Sequence, residues 1–162
     1  MFALKKSFKK ICDAYDDLPQ TFNYKQFAHF ADEKYHVVYY FTRIFLIKNK
    51  IAEISDKKKI KKIEPTIINF WNKIKENETF LVSFLTQLFD ANLLAKILSI
   101  DKKFSVKDLE NARLGVGRTY YEIKKMRSLQ LLSFSTGKYL RKFDSYQDLF
   151  EMIMKFITHN PC

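Results

Sequence analysis

Two stretches of this chain read alike at an offset of about 82 residues, and that self-similarity constrains the fold more than any single motif. Phe22 falls on Phe104, Phe27 on Leu109, Tyr39 on Tyr121, Arg43 on Lys125 and Ile47 on Leu129. Identity is low. The order of short helix, turn, longer basic helix and basic hairpin nevertheless recurs, which marks one supersecondary unit used twice.

Composition supports a packed, mainly helical chain. With 47% hydrophobic residues, 16 Phe and 9 Tyr in 162 residues, there is ample apolar surface for a core, and disorder is excluded. Only three Gly and three Pro are present, too few turn residues for an all-β fold. Cys12 and Cys162 lie near opposite ends and read as free thiols of an intracellular, cytoplasmic chain rather than a disulfide scaffold. The longest uncharged apolar stretch, 79–89, is far short of the roughly 20 residues a membrane span needs, and the N-terminus has no secretory-signal pattern.

Periodicity places the elements. Leu4, Phe8, Ile11, Cys12, Tyr15 and Leu18 share a helical face over 3–18, and Pro19 ends that helix. Asn23 caps a short helix burying Phe27, Phe30 and Ala31, and Asp32 begins a longer one to about Lys48, with Val37, Tyr40, Phe41, Ile44 and Ile47 inward. IAEIS and KIKKI form a hairpin around 56–58. Pro65 precedes a helix over 66–76, and one apolar helix spans 78–99. In the second copy, SVKD at 105–108 is a capping box, LGVG at 114–117 a tight turn, and a helix over 118–129 buries Tyr120, Ile123, Met126 and Leu129. LLSF and YLRKF flank the turn at 135–138, and Asp144 or Ser145 caps a last helix. The expected architecture is mainly α with small β-hairpins (α+β): one unit over 1–64, a helical connector over 65–101 and a second unit over 102–162.

Charge follows the repeat. Residues 1–64 hold 14 Lys+Arg against 8 Asp+Glu, residues 65–101 hold 3 against 4, and residues 102–162 hold 12 against 6, so the net +11 divides as +6, −1 and +6. Two basic blocks suggest two surfaces for an anionic partner.

The second copy, FSVKDLENARLGVGRTYYEIKKMRSLQLLSFSTGKYLRKF, resembles the winged helix-turn-helix family of DNA-binding domains. Gly115, Gly117 and Gly137 fall at its turn and wing tip, where positive φ is used. The first copy has no glycine at either place. The resemblance covers about 80 residues and implies tandem winged helix-turn-helix units joined by an apolar helical spine. It implies double-stranded DNA as the partner, with a recognition helix in the major groove and a wing on phosphate. The outward positions would be Lys34, Tyr35, His36, Tyr39 and Arg43 in the first copy, with Lys57, Lys58, Lys59, Lys61 and Lys62 in its wing. In the second they would be Arg118, Thr119, Tyr121, Glu122 and Lys125, with Lys138, Arg141 and Lys142 in the wing; Arg118 is placed for a bidentate guanine contact.

No nucleophile with its base, paired acids, Gly-rich phosphate loop or metal-ligand set is spelled out, so neither an enzyme nor a cofactor is expected. A transcriptional regulator or a plasmid, phage or virus replication factor fits the pattern. The competing reading is a tandem winged-helix scaffold that binds proteins, which predicts an exposed apolar patch on a recognition helix. Structured RNA is a third partner class. The apolar connector or the C-terminal helix offers a surface for a homodimer.

Overall fold

A computed structural model describes residues 7–112 and 114–159 of the chain, so Leu4 and Cys162 lie outside the described residues. The chain divides into two compact units, with the boundary between Phe80 and Leu81. Residues 65–101 do not stand apart as a connector. Their first helix lies in the first unit and nearly all of the rest in the second.

The first unit opens with α1 (Phe8–Asp17), which buries Phe8, Ile11, Cys12 and Tyr15 on the face the spacing predicts. β1 (Thr21–Phe22) follows, then α2 (Tyr24–Ala31), whose N-terminus is closed by a reciprocal capping box between Asn23 and Gln26. Asp32 is the left-handed stop of α2 (φ 49°), not the start of the next helix. α3 (Tyr35–Phe41) runs directly into a π-helical turn, Thr42–Ile47. The inward stripe here is Val38, Phe41, Phe45 and Leu46, whereas Tyr40 and Phe30 are about half exposed. β2 (Ala52–Ile54) and β3 (Ile60–Lys62) form the hairpin, and α4 (Ile67–Glu76) completes the unit.

Tyr15 is fully buried at the centre of this unit, and its hydroxyl donates to the carbonyls of Glu64 (2.6 Å) and Ile51 (3.2 Å). Those two bonds tie the strand ends to α1, while burial, helped by the nearby Asp16 and Glu64 carboxylates, pushes the hydroxyl's pKa up. Asp16 Oδ1 accepts from the Ile67 amide at 2.8 Å, satisfying a donor at the first turn of α4.

In the second unit α5 (Glu78–Leu88) and α6 (Ala91–Ser99) replace the single helix expected over 78–99. The two axes differ by 111°, because Asp90 leaves the helical region (φ −60°, ψ 129°) and caps α6 by accepting from the Leu93 amide at 3.0 Å. No single helix among the described residues is long and apolar enough to cross a membrane. β4 (Lys103–Phe104), a 3-10 segment Val106–Ala112, α7 (Val116–Ser128), the hairpin β5 (Leu132–Ser135) with β6 (Lys138–Arg141), and α8 (Tyr146–His159) follow. Ser145 Oγ accepts from the Asp148 amide at the head of α8.

The repeat is longer than the similar stretches of sequence. α1 corresponds to α6, β1 to β4, α3 with its π-turn to α7, the hairpins to each other and α4 to α8. Both sheets are antiparallel with the third strand central, in the orders β1-β3-β2 and β4-β6-β5. Phe22 pairs with Ile60 as Phe104 pairs with Tyr139. The helix before each hairpin ends in one device. Lys50 and Gln130 take left-handed φ (57° and 61°), and the next residue, buried Ile51 or Leu131, bonds back to Leu46 or Met126 at 2.8 and 2.9 Å. These are Schellman stops built without glycine.

Candidate functional site

The outward residues expected on the first long helix are all exposed: Lys34, Tyr35, His36, Tyr39 and Arg43. They meet a neighbour that periodicity does not single out. Tyr24, at the first position of α2, lies 4.9 Å from Tyr39 and 5.8 Å from Tyr35, measured between ring centroids. Tyr35 and Tyr39, one turn apart on α3, hold their rings within 16° of parallel. The Arg43 guanidinium sits 5.9 Å over the Tyr39 ring and close to Tyr24, whose hydroxyl pKa burial pushes up against that cation's pull.

These groups line an open concavity of about 670 Å³ between α2, α3 and the first hairpin. Ile54 forms part of its wall, and Lys25, Lys58 and Lys59 add cations. Among the described residues no Asp or Glu lines it.

The hairpin lysines separate by strand alternation. Lys58, Lys59 and Lys61 are exposed, whereas Lys62 is only 6% exposed; the Lys57 side chain lies outside the described residues. Successive residues of β3 face opposite sides, so Ile60 and Lys62 point inward while Lys61 points out. Lys62 donates to the Pro65 carbonyl at 3.0 Å and lies 4.6 Å over the Tyr15 ring; burial lowers its pKa. Arg141 repeats this in the second unit. It is 8% exposed and donates to the Phe143 carbonyl at 3.1 Å, leaving Lys138 and Lys142 as the exposed cations of that hairpin. Neither Lys62 nor Arg141 belongs to a phosphate-binding strip.

The helix of the second unit also departs from expectation. It starts at Val116, so Gly117 lies within it, and its inward stripe is Thr119, Glu122, Ile123 and Met126. Thr119 is 5% exposed and its hydroxyl donates to the Gly115 carbonyl; Glu122 is fully buried. Lys125 turns inward too, donating to the Leu88 carbonyl and standing 3.4 Å from Glu122. Thr119 and Glu122 are therefore withdrawn from the outer surface, and Lys125 is half-buried beside Glu122. The polar character of Thr119 and Glu122 disguises the stripe in the sequence, and Tyr120 reads as part of it. Tyr120 is in fact 51% exposed, beside exposed Arg118, Tyr121, Lys124 and Arg127. Arg127 lies 5.5 Å over the Phe134 ring of the hairpin.

Of the three glycines, only Gly137 has positive φ (78°), in the two-residue turn with Thr136 (φ 52°). Gly115 is extended at the head of α7 and needs no glycine-only backbone. Among the described residues no three His, Cys, Asp or Glu side chains gather as metal ligands. Cys12 is a buried free thiol.

Comparison with protein-family models, with curated proteins and with solved structures found no match.

Proposed function

We propose that the chain is a tandem winged helix-turn-helix protein that binds double-stranded DNA, with α3 and α7 as recognition helices and the two hairpins as wings. What carries this reading is the recurrence, in both units, of exposed cations on the helix before a hairpin and on the hairpin itself. In the first unit these are Lys34, Arg43, Lys58, Lys59 and Lys61; in the second, Arg118, Lys124, Arg127, Lys138 and Lys142. A helix flanked by a basic hairpin suits a major groove bounded by phosphates. The protein acts as a cytoplasmic regulator of transcription or a replication factor, with no catalytic role.

The test is a titration of labelled duplex DNA across about 50–200 mM salt. Affinity should fall with a log–log slope of about −0.9 for each phosphate neutralised. A flat salt dependence overturns the reading.

One observation favours the protein-binding alternative for the second unit. Its α7 exposes Val116 (71%), Tyr120 (51%) and Tyr121 (59%), the apolar patch such a scaffold requires. Replacing Arg118, Lys138 and Lys142 with Glu separates the readings for this unit: duplex binding falls steeply if it holds DNA and is unchanged if it serves as a scaffold. Of the two surfaces expected to pair copies of the chain, the apolar helix is taken up internally, since Leu81, Phe84, Leu85 and Leu88 are buried. The C-terminal helix likewise buries Leu149, Phe150 and Ile153, so a homodimer through either element would use its outward residues.

A further inference from the structure

We propose that the concavity of the first unit takes a nucleotide whose base is unpaired, with the base laid on the tyrosine wall and the phosphate held by Lys58 and Lys59. This goes beyond duplex binding and does not require it.

Tyr35 and Tyr39 leave 52% and 43% of their surface in water, an arrangement that burial would ordinarily remove. Instead the two rings are held nearly parallel, 6.4 Å apart, with Tyr24 set steeply against both at 65° and 52°. Flat, solvent-facing aromatic groups fixed in this way accept another flat group by stacking, and every nucleobase has such a face.

The surroundings define the rest of the ligand. Lys25, Lys58 and Lys59 have no acidic partner among the described residues, and no carboxylate lines the site. An aromatic plate amid uncompensated cations selects a ligand that is planar and anionic together. A base pair inside a duplex offers only its edges, so contact with the ring faces needs a base out of the stack. The volume of about 670 Å³ suits a pocket for one such unit.

The second unit does not reproduce the arrangement. Counting from the paired Phe22 and Phe104, Val106 stands where Tyr24 does, and Lys125, aligned with Arg43, is turned inward. The site therefore belongs to one unit and is not a general property of the repeat.

The test uses the full chain and three probes at one salt concentration: a labelled single-stranded oligonucleotide without self-complementarity, the same sequence as duplex, and nucleoside monophosphates. Tyr24→Leu should weaken single-strand binding about tenfold or more, from the size of a base–aromatic stack, and leave duplex binding within about twofold. Tyr24→Phe, which keeps the ring, should retain single-strand affinity. Lys59→Ala, on the hairpin and away from the helices, should reduce the single-strand salt slope by about 0.7. Monophosphates competing as well as the strand, with the same Tyr24 dependence, identify a free nucleotide as the source; much weaker competition identifies the strand. The proposal is overturned if neither single strand nor monophosphate binds, if Tyr24→Leu changes nothing in a folded protein, or if it weakens duplex equally. Single-strand binding by an unaltered protein that does not bind duplex leaves it standing and refutes the duplex-binding proposal.

Discussion

Arg43 and Lys125 occupy matching places in the two copies of the repeat and do opposite things. Arg43 lies on the surface, over the Tyr39 ring and beside Tyr24. Lys125 is turned inward, bonded to a backbone carbonyl and facing a fully buried carboxylate. The two basic blocks have equal surpluses, yet only part of each surplus reaches a surface. Each central strand likewise sends one cation inward, Lys62 and Arg141, to cap a chain segment. Net charge counts residues, whereas recognition depends on which face of a helix or strand each one takes.

Four experiments test this contrast. The largest effect belongs to Lys125→Met, which leaves Glu122 buried without its cation and should lower stability in urea by about 3–5 kcal/mol. Adding Glu122→Leu should restore most of that loss. Arg43→Met should cost about 0.5 kcal/mol or less and show itself in binding; equal losses for the two would refute the assignment of roles.

The hairpins come next. Lys58→Glu, Lys59→Glu and Lys61→Glu together should remove about 2.7 from the magnitude of the duplex salt slope, at about 0.9 for each phosphate contact. Lys62→Met should leave the slope unchanged and register only in thermal unfolding. A fall in slope for Lys62→Met would place that lysine back on the surface.

Glycine gives a smaller contrast. Gly137→Ala forces a side chain into positive φ and should cost about 1 kcal/mol or more by denaturant titration. Gly117→Ala, inside a helix with open space around it, should stabilise by about 0.5–1 kcal/mol. Matching signs at the two positions would contradict the backbone described.

The smallest effect is a pH dependence confined to the first unit. Asp16 is held above its ordinary pKa of 3.8, chiefly by burial, partly offset by the Ile67 amide. Its contribution to stability is therefore complete below pH 3.8 and lost as pH rises through the raised folded-state value. The stability difference between wild type and Asp16→Asn should shrink across that window, read as urea midpoints from pH 3 upward. The matching position in the second unit is Leu98, where no such trend exists to be lost.

Local signals with a single physical meaning were legible in the residues. Asn23 before a short apolar-periodic run became a capping box, and Thr136-Gly137 between two β-capable runs became a two-residue turn. The order of the repeat was legible for the same reason. What was hidden depended on packing. Asp90 inside a long apolar run can be an exposed helical residue or a cap, and only the 111° change of direction decides between them. The faces of α3 and α7 are not legible from residue type, because Tyr40 and Tyr120 look like core while Thr119 and Glu122 do not. The extension of the repeat to α1, α6, α4 and α8 left almost no residue identity to follow. Tyr24 carries no signal in the sequence because a lone tyrosine at a helix start has no pattern; it acquires one only when α3 is brought beside it.

Both sheets also have consequences for the chain in crowded solution. Each exposes short edges, of two residues on one side and three or four on the other, with the longest strands no more than four residues. Edges this brief, next to hairpins that carry Lys58, Lys59, Lys61, Lys138 and Lys142, are poor templates for adding a strand from another molecule. The cations of the hairpins thus work against fibrillar self-association, a consequence independent of any ligand.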